Sequence, residues 1–154
     1  MEMQRKRPKR LWIAAVLNFF RALLALGFLI FILFVSADKD LAGLIGWGIF
    51  IGPVLSVALI AGTTAALSGS RWGRWAMLSA AVLFYGVLIG QNLLMLADLD
   101  PASDIDRRFY FKAATNAIRP AIELAINCWA LMSAKTKAYF EQSGATGVDS
   151  TQAA

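Results

Sequence analysis

Residues Lys112–Ala134 read KAATNAIRPAIELAINCWALMSA. The stretch is apolar and long enough to cross a membrane, yet Asn116, Arg119, Glu123 and Asn127 recur through it at spacings of three, four and four. At the helical rotation per residue these side chains fall within roughly 80° of arc, one stripe on one face. Ionisable groups in an apolar helix are costly in lipid and face a bundle interior or a wet cavity. The stripe therefore predicts a helix packed against others.

The rest of the chain supplies those others. Of 154 residues, 58% are hydrophobic and 16% charged. Soluble domains run nearer 45–50% and about 25%. The composition fits one integral membrane domain, an all-α antiparallel bundle of four transmembrane helices. The expected helices cover about 11–37, 41–67, 75–97 and 112–134. Residues 1–10 form a basic cytoplasmic segment, and residues 135–154 read as a largely disordered cytoplasmic tail.

The net charge of +5 does not point to nucleic acid. Arg5, Lys6, Arg7, Lys9 and Arg10 sit directly before an apolar run, the arrangement of a flank facing an anionic inner leaflet. Helix one must reach back past Arg21, because the unbroken run Ala22–Val35 is too short to span alone. The basic start and Val35-Ser36-Ala37 have the outline of a signal peptide. The apolar region is longer than usual for one and contains Arg21, so it reads as a retained helix.

Asp38-Lys39-Asp40 is a short turn that makes helices one and two antiparallel neighbours. Helix two holds a GxxxG pair, Gly48 and Gly52, continued by Ser56, and helix three holds Gly86 and Gly90. These small residues predict close helix packing, with homodimer contacts as their other use. Pro53 and Pro120 lie inside apolar runs, where each frees the carbonyl four residues back. Thr63 and Thr64 are expected to bond to their own backbone. Ser68–Trp75 is a loop of turn residues, two arginines and two interfacial tryptophans. Residues 98–111 form the largest loop. Its four aspartates lack the turn glycine of a calcium loop, so it reads as solvated, and Phe109, Tyr110 and Phe111 mark re-entry at an aromatic belt.

With the N-terminus inside, nine Lys and Arg residues flank the inner ends (Arg5, Lys6, Arg7, Lys9, Arg10, Arg71, Arg74, Lys135 and Lys137). Four flank the outer ends (Lys39, Arg107, Arg108 and Lys112). This asymmetry places both termini in the cytoplasm. Depth then follows from the helical rise. Arg21 lies about 15 Å from the inner end of helix one and Glu123 about 16–17 Å from the inner end of helix four. Asn18 and Asn127 are each seven residues in. Gln91 and Asn92 lie about 8–9 Å from the outer end of helix three, and Arg119 about 10 Å from that of helix four.

These depths predict one intramembrane polar column: Asn18, Arg21, Gln91, Asn92, Asn116, Arg119, Glu123 and Asn127. Glu123 would be shared between Arg21 and Arg119. The column serves either as glue between helices or as a site.

The chemistry is sparse. The absence of histidine excludes a histidine base, a histidine haem ligand and the common zinc sites. The lone Cys128 cannot form an intramolecular disulfide. No Ser/His pair, phosphate-binding loop or cofactor fingerprint occurs, so the expectation is a protein without catalytic chemistry, cofactor or metal. The leading expectation is a small multi-pass protein of a bacterial-type inner membrane that works by interaction. It would be an accessory subunit or a toxin-immunity protein, whose partner is a membrane protein or a second copy. The other is a transporter or channel subunit using the polar column.

Overall fold

A computed structural model of the chain describes residues 8–35, 48–70, 72–99 and 104–149. The elements among the described residues are all helices: α1 (Lys9–Val35), α2 (Gly48–Leu67), α3 (Gly73–Ala97), α4 (Asp104–Met132) and α5 (Ala134–Asp149). The basic residues 5–7, the turn at 38–40, the start of helix two and the centre of the acidic loop lie outside the described residues.

Two helices are long and apolar enough to cross a membrane. Lys9–Phe31 has a mean hydropathy of 2.2 and Gly73–Ala97 one of 1.8. Only 22% of each apolar window is buried, which separates both from the core helices of a soluble domain. Phe20, Leu23, Phe28 and Phe31 on α1 all stand exposed.

Successive helices pack in chain order, α1 on α2, α2 on α3 and α3 on α4, and a narrower seam joins α1 to α4. The pairs across these seams run in opposite directions. Leu11 shares a cluster with Ala66 and Leu131, while Asn18 meets Thr63 and Asn127. Neighbouring helices are therefore antiparallel.

The turn between α2 and α3 has a clear local cause. Gly69 adopts φ 76°, and its amide donates to Ala66 O while that of Ser70 donates to Ala65 O. These two bonds form a Schellman motif with glycine at its left-handed position. The turn brings the end of α2 and the start of α3 into backbone contact. A Cβ on Gly62 would lie 2.7 Å from Ala76 O, and one on Gly73 would collide with Ala65 O. This corrects the expected packing sites. A Cβ on Gly52, Gly86 or Gly90 meets nothing within 4 Å. Spacing finds small residues, but only the turn decides where backbones touch. Ser56 is buried, with its hydroxyl donating to Gly52 O.

Two boundaries also differ from expectation. Helix α4 begins at Asp104 and takes in Phe109, Tyr110 and Phe111; no Pro or Gly interrupts residues 104–119. The tail, expected to be largely disordered, is helical from Ala134 to Asp149. Ser133 starts it: its carbonyl accepts from the amides of Thr136 and Lys137, and its hydroxyl accepts from Thr136 N. Phe140 then folds back into a buried cluster with Leu11 and Ala14 of α1, Ala66 of α2, Met77 of α3, and Ala130 and Leu131 of α4. The polar composition of the tail concealed the aromatic pair Tyr139 and Phe140 that packs it onto this cluster.

The glycine contacts yield a first test. Gly62→Ala and Gly73→Ala force overpacking and are expected to lower stability by about 1–3 kcal/mol. Gly86→Ala and Gly90→Ala should leave it unchanged. Thermal unfolding in detergent micelles measures the difference, and equal melting of all four variants would contradict the packing.

Candidate functional site

Asn18 is fully buried on α1 and is bonded to each of the other three bundle helices. Its Nδ2 donates to Asn127 Oδ1 at 2.8 Å and to Thr63 Oγ1 at 3.4 Å. Its Oδ1 accepts from the Tyr85 hydroxyl at 3.1 Å. Asn127 in turn donates from Nδ2 to Glu123 O at 2.9 Å. One amide thereby fixes the register of α1 against α2, α3 and α4. Buried polar atoms left without partners cost about 1–3 kcal/mol each, so the layer holds the four helices to one mutual alignment.

One turn further along α1 sits the charged part. Arg21 Nε donates to Glu123 Oε2 at 2.6 Å, and Arg119 Nε donates to Glu123 Oε1 at 3.3 Å. The Glu123 side chain is 9% exposed, that of Arg21 19% and that of Arg119 63%. Both carboxylate oxygens are engaged. A carboxylate taken out of water is costly unless cations are paired with it, and α4 provides one of those partners itself at i−4.

The structure thus brings five residues of the expected column together: Asn18, Arg21, Arg119, Glu123 and Asn127. Three stand apart. Asn92 donates to Leu88 O on its own helix. Gln91 is exposed and lines a cavity instead. Asn116 is exposed on α4. The narrow α1–α4 seam covers Glu123 and Asn127 without extending over Asn116, and Arg119 is open to the outside for most of its length.

Two members were missed. Thr64 donates to Ile60 O of its own backbone as expected, whereas Thr63 accepts from Asn18. Tyr85 reads as one more aromatic residue in an apolar helix. The depth count that paired Arg21 with Glu123 would have found it, since it lies about 15 Å from the expected start of helix three.

A cavity of about 280 Å³ lies between α1, α2 and α3, lined by Ala25, Phe28, Gly52, Pro53, Leu88 and Gln91 among others. Its wall begins one helical turn beyond Arg21. The lining is apolar apart from Gln91. At the opposite end of the bundle, the Arg10 guanidinium lies 4.3 Å from the centre of the Trp129 ring, a cation–π contact that adds to the α1–α4 seam.

No family model, curated protein or solved structure matches the chain. The site must be read from its own chemistry.

That chemistry ranks the polar layer by the number of bonds each side chain makes. Asn18→Ala removes bonds to three helices and leaves Tyr85 and Asn127 buried without it. The expected loss is about 1–3 kcal/mol. Tyr85→Phe and Thr63→Val each remove one bond, worth about 0.6 kcal/mol on average between membrane helices. Denaturant titration in mixed micelles gives the order; a Tyr85→Phe loss equal to that of Asn18→Ala would contradict Asn18 as the hub.

Proposed function

We propose that the chain is a multi-pass membrane protein of a bacterial-type inner membrane, with four spans and both termini cytoplasmic, that works by binding another membrane protein. It acts without catalytic chemistry of its own, as an accessory subunit or as an immunity protein against a membrane-acting toxin.

The observation that carries this reading is the split of polar groups along α4. Glu123 and Asn127 turn inward and are satisfied by α1, while Asn116 and Arg119 on the same helix stand exposed. Polar side chains at membrane depth face protein or water rather than lipid. An outward polar face beside a satisfied interior therefore supports contact with a further protein. The exposed apolar surface of α1 supports insertion in lipid, since soluble monomers rarely leave such large contiguous patches uncovered. The excess of Lys and Arg at the ends assigned to the cytoplasm supports the orientation.

The cavity beside Arg21 favours a second reading, a small transporter or channel subunit that uses the charged cluster.

Gentle solubilisation from the native membrane separates the two. The interaction reading expects the tagged full chain to co-purify with one membrane protein at fixed stoichiometry, and to carry no flux in proteoliposomes. A lone chain whose solute flux disappears on Glu123→Gln would replace it with the transport reading.

A further inference from the structure

The charges of the cluster do not balance. Two guanidinium groups, Arg21 and Arg119, share the single carboxylate of Glu123. Among the described residues, no other acid is paired with either. Both oxygens of Glu123 are occupied by Nε atoms. Arg119, 63% exposed, thus keeps N–H donors and an excess of positive charge on the outside of the bundle.

The surface around it has the form of a helix seat. Ile118 and Ile122 of α4 are exposed on either side of Arg119 in sequence. One turn along α4 from Ile122, an apolar groove of about 480 Å³ opens along α1, lined by Trp12, Ile13, Val16, Leu17 and Phe20 and reaching Ile126 of α4. An apolar groove about two helical turns from one exposed cation matches an apolar helix carrying one anion.

We infer that this face binds a partner's transmembrane helix bearing an aspartate or glutamate near mid-membrane, with that carboxylate accepting hydrogen bonds from Arg119. The inference rests on the interaction reading above and names the chemistry of the partner. Charge complementarity selects this occupant over a second copy of the chain. A two-fold copy would bring two Arg119 side chains together while Glu123, the one acid paired with Arg119 among the described residues, is already engaged on both oxygens. Like charges juxtaposed at an interface are strongly unfavourable. A docked acid neutralises the remaining charge and gives Arg119 the paired, desolvated environment that intramembrane arginines adopt.

The test uses the full chain in its native membrane, with a photo-cross-linking residue at Ile122 and, separately, at Leu83 on the exposed side of α3. The captured peptide is sequenced. The expected capture at Ile122 is an apolar helix with an internal Asp or Glu. Arg119→Glu and Arg119→Gln should each reduce the yield about tenfold or more, while Arg119→Lys retains most of it. Replacing the partner's acid by arginine should restore capture in the Arg119→Glu chain.

The inference is overturned by a captured helix without an acid, by capture of a second copy of this chain, or by a yield indifferent to Arg119→Gln (which assigns Arg119 to lipid headgroups). A protein captured from Leu83 but not from Ile122 also overturns it while leaving the interaction reading standing. Loss of protein capture at both positions overturns both.

Discussion

The structure depends on one constraint: polar side chains placed in an apolar interior must find one another. Asn18 cannot be buried unless Asn127, Thr63 and Tyr85 arrive at the same level, and each of those stands on a different helix. Glu123 cannot be buried unless Arg21 reaches it from α1. Apolar contacts alone tolerate sliding, since one leucine resembles the next. The polar layer does not, because a shift of one turn would leave several donors and acceptors unpaired. Register is thereby set by few residues, and the surrounding small and apolar side chains fill the space that this register defines.

The same constraint explains why α1 and α4 hold together along the narrowest seam of the bundle. The other three seams join longer stretches of the helices. The α1–α4 seam is short but carries an ion pair, an amide pair and, at the start of α1, the Arg10–Trp129 stacking contact. Fewer contacts are offset by stronger ones. Beyond Glu123 the seam does not cover Asn116, and there the polar stripe of α4 passes from interior to surface. One periodic pattern thus fulfils two roles, because the covering helix reaches only part of it.

Legibility in the sequence followed the same physics. The pairing of Arg21 with Glu123 and of Asn18 with Asn127 was readable because depth in a helix is arithmetic: rise per residue multiplied by position. How one helix is turned against the next is not available in this way. Gln91 stands on another face of α3 from Tyr85, and Asn92, on the same face as Tyr85 but two turns beyond it, satisfies itself on Leu88. Tyr85 was hidden by an apolar ring that carries a single polar atom. The tail helix was hidden by its glycines and serines, although Phe140, with Tyr139 packed beside it, anchors it to the cluster at the bundle end. The GxxxG spacings were legible, but the close approaches fell at Gly62 and Gly73, where the Gly69 turn forces α2 and α3 together.

Whether the buried ion pair truly joins α1 to α4 is open to direct measurement by a double-mutant cycle on Arg21→Gln and Glu123→Gln, read by unfolding in mixed micelles. If the two side chains hold each other, Glu123→Gln leaves Arg21 an uncompensated charge and costs about 3–5 kcal/mol in soluble precedent, while Arg21→Gln leaves Glu123 to Arg119 alone and costs less. The double variant should then lose less than the two singles combined, with a coupling of roughly 1–3 kcal/mol. Strictly additive losses would mean that Arg21 and Glu123 are independent, and would contradict the account of the bundle given by this polar layer.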